Sequence, residues 1–97
     1  MIVAAIRFEL VVAGVQSLKA KRAVVRPLVE GLRRMASISV AEVAHHDSWQ
    51  RCALGVAIVT VDQSTMDTLI ERVRARIEQN VEVEIIEARL DYLEVER

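Results

Sequence analysis

The chain is poor in the residues that crosslink, punctuate or stack. Cys52 is its one cysteine, so no intramolecular disulfide can form. Its three glycines, Gly14, Gly31 and Gly55, are too scattered for a glycine-rich phosphate loop. Phe8, Trp49 and Tyr92 are its only aromatic residues, which leaves little with which to stack nucleic-acid bases. No apolar run approaches the roughly 20 residues that a membrane helix needs. The segment after Met1 lacks the basic flank and small-residue cleavage site of a secretory signal. These absences predict a cytoplasmic protein with no membrane association. No charge sign dominates either: 13 Lys and Arg meet 14 Asp and Glu, a net charge of -1, so any electrostatic role must rest on where the charges lie.

What remains is a well-patterned globular chain. Its 97 residues, 53% of them apolar, have room for one hydrophobic core and therefore one domain, residues 1–97. From Ile2 to Val12 every even position is apolar while Arg7 and Glu9 interrupt the odd ones, the two-residue period of a strand. Ser17 is an expected N-cap for a helix starting near Leu18, with Val25, Leu28, Val29, Leu32, Met35 and Ala36 on its apolar face. Pro27 interrupts that helix, predicting a kink near Arg26 or a later start with Pro27 in the first turn; the periodicity favours the kink.

Ile38 to Ala44 reads as a second strand, His45 to Arg51 as a turn, and Cys52 to Val61 as a third strand apolar on both faces. Asp62 or Ser64 caps a second helix whose stripe is Met66, Leu69, Ile70, Val73 and Ile77, with Asn80 expected as a left-handed stop. The alternation after Val81 slips phase, predicting a bulge near Ile85. The order is that of a ferredoxin-like βαββαβ α+β fold, a four-stranded antiparallel sheet with two helices on one face. The sheet's other face would then show Val3, Ala5, Ala53, Gly55, Ala57 and Val59. These are poor neighbours for water, so a covered face, through self-association, is expected.

Charge is segregated along the chain. Between Ser17 and Ala36 the cations Lys19, Lys21, Arg22, Arg26, Arg33 and Arg34 face Glu30 alone, whereas the segment from Glu78 to Arg97 is strongly acidic. At 100° per residue Lys19, Arg22, Arg26 and Arg33 fall within about 60° of one another, a basic stripe beside the apolar face. Two readings stand: a helix facing phosphates, for which Lys19, Lys21, Arg22, Arg26 and Arg33 are the candidate nucleic-acid contacts, or a solvated face paired with the acidic last strand of the same or a neighbouring copy. The sheet offers Ala, Gly and Val where the commonest RNA-binding form of this fold displays aromatics, so RNA contact would run through helix and loops.

Trp49, with Gln50 and Arg51, has the composition of a binding hot spot, the alternative being a Trp folded down over the sheet edge. His45, His46 and Asp47 crowd one turn, but no further Cys or His completes a metal site, and none is expected. Cys52 has no adjacent base and reads as a small core residue. No catalytic signature is present and no cofactor is implied, which predicts a non-enzymatic protein.

Ser17-Leu18-Lys19-Ala20-Lys21-Arg22, followed by Val40-Ala41-Glu42-Val43, Asp47, Trp49-Gln50-Arg51 and Leu54-Gly55, resembles the YlxP-like family of small bacterial proteins over essentially the whole chain. The resemblance implies a ferredoxin-like fold, genes lying beside those for translation initiation and ribosome-binding factors, and a role in ribosome maturation. It adds Ser17, Asp47, Trp49, Gln50 and Arg51 as candidate partner-binding positions. The leading expectation is an accessory factor that touches structured RNA or a ribosomal subunit through the basic helix. The alternative is a protein-interaction module that binds an acidic protein or forms a homodimer through the sheet face or the last strand.

Overall fold

In the computed structural model, which describes residues 1–95, the chain runs β1 (Ile2–Val12), α1 (Leu18–Arg33), β2 (Ile38–Ala44), β3 (Arg51–Thr60), α2 (Gln63–Glu78) and β4 (Val83–Glu94). The strands form one antiparallel sheet in the order β2-β3-β1-β4. With both helices on one face, this is the ferredoxin-like arrangement that the sequence predicts. The two central strands are β1 and β3, the ones whose composition demands most cover.

The even positions of β1 point into the core. Phe8, Leu10, Leu54 and Ile58 of the sheet meet Leu32 of α1 and Met66, Val73 and Ile77 of α2, all nearly inaccessible to water. Burying each such side chain contributes about 1.5–3 kcal/mol. The open face carries the odd positions. A shallow trough of about 560 Å³ crosses it, floored by Ala5, Ala41, Gly55 and Ala57 and edged by Val43, Arg89 and Asp91. Gly55 makes room for its neighbour, because a Cβ there would lie 2.8 Å from Val43 Cγ1.

Helix α1 begins where Ser17 Oγ accepts the Ala20 N–H at 3.0 Å. It runs through Pro27 without interruption, so the later start is excluded. Ala23, whose carbonyl loses the N–H that Pro27 lacks, is exposed along with Pro27, so the missing bond falls on a face open to solvent. The helix stops at Arg33, leaving Met35 half-buried and Ala36 exposed rather than on the apolar face. Asp62, not Ser64, caps α2, its Oδ1 accepting the Thr65 N–H at 2.7 Å.

Asn80 is a correction: among the described non-glycine residues only Ser37 and His45 have positive φ. The Asn80 backbone N–H donates to the Ile77 carbonyl at 3.1 Å, and its Oδ1 closes the turn that follows by accepting the Glu82 N–H at 2.9 Å. The expected bulge is present. Glu9 pairs with Glu87 and Leu10 with Ile85, which makes Ile86 the extra residue. Beyond it, Ala88, Leu90 and Tyr92 stand opposite Phe8, Ile6 and Ala4 on the helix side of the sheet, yet all three are exposed.

Candidate functional site

The basic stripe lies along the groove between α1 and β2. Arg26 and Arg33 line one hollow of about 300 Å³, and Leu18, Arg22, Arg26 and His46 line an adjoining one of about 140 Å³, with Glu42 in the floor of both. Lys19 continues the stripe beside Arg22 and Arg26. Among the described residues Lys19, Arg22, Arg26 and Arg34 form no ion pair. Arg33 is partly engaged: its Nη1 meets Glu30 at 3.0 Å and its Nε donates to the Val40 carbonyl at 3.4 Å. Pairing with the acidic strand of the same chain is ruled out, because α1 packs on β2 at one edge of the sheet and β4 forms the other.

Lys21, a candidate contact outside the stripe itself, is turned inward. It is 2% exposed, its Nζ donating to the His45 carbonyl at 2.7 Å and lying 3.3 Å from Glu42 Oε2. An ammonium so enclosed is closed to a phosphate. Its place follows from helix geometry: Lys21 precedes Val25 and Leu28 by four and seven residues, so all three share the buried face. The other end of this anchor, His45, has φ 64, a left-handed conformation that a non-glycine residue keeps only when its surroundings hold it.

A second group holds the same residue from the open face. Glu9, 8% exposed, accepts from Arg7 Nε and Nη2 at 3.0 and 2.8 Å through Oε1. Its Oε2 meets His45 Nε2 at 3.0 Å and Arg51 Nη2 at 3.2 Å. The Arg7 guanidinium above all, then Arg51 and His45, hold the Glu9 carboxyl below the usual carboxylate range against the opposing cost of its burial. Backbone of the His45 residue is thus tied to α1 and its ring to β1. The turn between β2 and β3 is fixed at both ends: Gln50 O accepts the Val12 N–H at 2.8 Å, and Ser48 Oγ accepts the Arg51 N–H at 3.1 Å.

The turn presents Asp47, Trp49 and Gln50 to solvent, and Trp49 is 49% exposed rather than folded down. Arg51 is committed to Glu9, and Ser17 is committed to the helix cap. The structure therefore brings the Trp49 turn next to the first turns of α1, across the Lys21–His45 contact. His46 Nε2 lies 3.2 Å from the Glu42 carbonyl, and among the described residues no three His, Cys, Asp or Glu side chains converge as metal ligands. Cys52 is buried, and burial first, then the charge of Glu42, pushes its thiol up to about 12. Sequence reasoning missed Glu9, Arg7 and Glu42, although a lone glutamate inside an apolar strand was a visible signal.

The description "Protein of unknown function (DUF503)" belongs to a family model that matches residues 3–90. The uncharacterized protein YlxP of Bacillus subtilis (strain 168) is 30% identical over 76 residues, 78% of this chain and 83% of that one. Among solved structures, the de novo designed protein Foldit4 superposes with a TM-score of 0.51 at 17% identity, over 98% of each chain, a likeness of fold alone. SnoaB, a cofactor-independent oxygenase from Streptomyces nogalater, reaches 0.47 at 10% identity over 99% of this chain and 94% of its own, too distant to bear on chemistry. No described helix is long and apolar enough to cross a membrane. By the match over residues 3–90 and the likeness to YlxP, the chain belongs to the DUF503 family, whose function is not known.

Proposed function

We propose that the protein is a non-enzymatic accessory factor that binds structured RNA, in the setting of a ribosomal subunit, through the groove between α1 and β2. The observation that carries this reading is the row of Lys19, Arg22 and Arg26, exposed and without carboxylate partners among the described residues, beside the held Trp49 turn. Unpaired guanidinium groups give charge-assisted hydrogen bonds to phosphate oxygens without reading sequence, which suits a folded RNA. Trp49 adds one aromatic surface for a splayed base or a protein flank. Glu42 in the groove floor opposes phosphate, but Lys21 lies 3.3 Å from it and offsets its charge.

The test substitutes glutamine at Lys19, Arg22 and Arg26 together, which keeps the helix because glutamine forms helix well. Binding to purified ribosomal subunits and to total transfer RNA is measured over a salt series. Three lost phosphate contacts lower the slope of log affinity against log salt by about 2–3. Unchanged affinity and slope in the triple variant sink the proposal. Capture of partners that survives ribonuclease yet is lost at high salt would assign the groove to an acidic protein instead.

A further inference from the structure

The two edges of the sheet differ. The β2 edge is short, kinked by a register shift between Glu42 and Ala44, and partly covered where Arg33 reaches the Val40 carbonyl. The β4 edge has 12 residues and, among the described residues, no covering element, and such an edge is a template for another strand. Its phase can be read from one end. Met1 and Val95 exchange both backbone hydrogen bonds, Met1 N to Val95 O at 3.0 Å and Val95 N to Met1 O at 2.8 Å. The register is continuous from there to Glu9 and Glu87. Odd positions of β4 therefore turn their backbone groups to β1, and Ala88, Leu90 and Tyr92 turn theirs outward.

We propose that two copies of this chain join through β4, antiparallel about a two-fold axis at Leu90, into one eight-stranded sheet. Leu90 would exchange both backbone bonds with Leu90 of the second copy, and Ala88 with Tyr92 on either side, all before the bulge at Ile86 breaks the ladder. The side chains then agree with the backbone. In this register Arg89 stands directly opposite Asp91 twice, in the closely spaced non-hydrogen-bonded pairs where opposite charges help most. A two-fold axis at Arg89 would instead oppose Arg89 to itself and Glu87 to Asp91. On the helix side the pairing covers Leu90 and Tyr92, 42% and 49% exposed, since α2 reaches Tyr92 only as far as Gln63 Nε2, 3.5 Å from its hydroxyl, and leaves both side chains open to water. A strand whose charges and apolar residues match their own reversed order selects a second copy over any partner of one charge sign. The dimer does not depend on the RNA reading; it would set two basic grooves at opposite ends of the sheet, about 34 Å apart at ~4.8 Å per strand.

Light scattering on the full chain across a concentration series tests this. The wild type is expected as a dimer and Leu90→Pro as a monomer, since proline at 90 removes an outward N–H and no bond to β1. Arg89→Asp alone should weaken association at least 10-fold, and Arg89→Asp with Asp91→Arg should restore it, because the swap recreates both cross-copy pairs. Circular dichroism confirms that each variant is folded; should Leu90→Pro unfold, the single and swapped charge variants decide. A wild type that stays monomeric at high concentration overturns the proposal. So does a dimer that survives Leu90→Pro and the single charge change but is lost in Val59→Glu, a result that would move the interface to the open sheet face.

Discussion

Lys21→Met separates a structural cation from a binding one. The substitution keeps the apolar stem and removes the ammonium, so Glu42 loses the charge 3.3 Å from its Oε2 and the His45 carbonyl loses its donor. Breaking a buried ion pair by deleting one partner costs about 3–5 kcal/mol. Glu42 keeps 25% of its side-chain surface in water, which relieves part of that, so a loss of about 2–3 kcal/mol is expected. For a domain of this length each 1 kcal/mol moves Tm by about 4–8 °C, giving a fall of roughly 8–24 °C.

Urea unfolding followed through Trp49, the one tryptophan, measures this directly. The double variant Lys21→Met with Glu42→Gln should recover at least half the loss, because removing both charges of a buried pair is far cheaper than removing one. In the folded Lys21→Met variant the salt slope of RNA binding should equal that of wild type, whereas Arg22→Gln should lower the slope by about 1 and leave stability within about 0.5 kcal/mol. A Lys21→Met variant that keeps wild-type stability and loses salt dependence would refute the burial argument and return Lys21 to the candidate nucleic-acid contacts.

Two further expectations concern titratable groups. The Glu9 carboxyl is held low by Arg7, with Arg51 and His45, so its stabilising contribution is complete above the ordinary value of 4.5 and is lost as pH falls through its lower folded value. Glu9→Gln should therefore flatten the fall of stability below about pH 4.5, seen in urea midpoints taken from pH 3 to 7; a parallel acid limb in the variant would contradict the assignment. With its thiol pushed up to about 12 and its side chain inaccessible, Cys52 should react with Ellman's reagent only as fast as the chain unfolds, and rapid labelling in buffer would show an opening that the structure lacks.

What the sequence made legible was periodic or local. The two-residue alternation bounded β1 and β2, the hydroxyl of Ser17 marked the start of α1, and the phase slip after Ile85 located the bulge. Each depends on residues a few positions apart. Lys21 was misplaced among its charged neighbours because charge was weighed before direction: its helical angle, with Val25 and Leu28, already pointed inward. The cluster around Glu9 was out of reach for another reason. The Glu9 partners Arg51 and His45 lie 42 and 36 residues away, and only the pairing of β1 with β3 makes them neighbours. Asn80 failed on chemistry, since asparagine after a helix suits either a left-handed backbone or a side-chain turn onto the N–H two residues on, and composition does not choose between them.

The charge segregation seen along the chain acquires its meaning from topology. A split β-α-β crossover puts the last strand at one edge of the sheet and the first helix over the strand at the other, so a basic α1 and an acidic β4 cannot neutralise one another within one molecule. Surface charges farther apart than about 8 Å are largely screened at physiological ionic strength, so the two edges act independently. The basic edge attracts phosphate while the acidic edge repels it, which orients the protein on a polyanion with α1 inward. An acidic strand would be a poor template for its own copy if the signs were uniform. The lone arginine of the strand, Arg89, set two residues from Asp91, changes that, for in the register centred on Leu90 it faces Asp91 of the second copy. Reversing Arg89 should therefore weaken self-association at least 10-fold while leaving the α1 groove, at the far edge, with its wild-type salt slope.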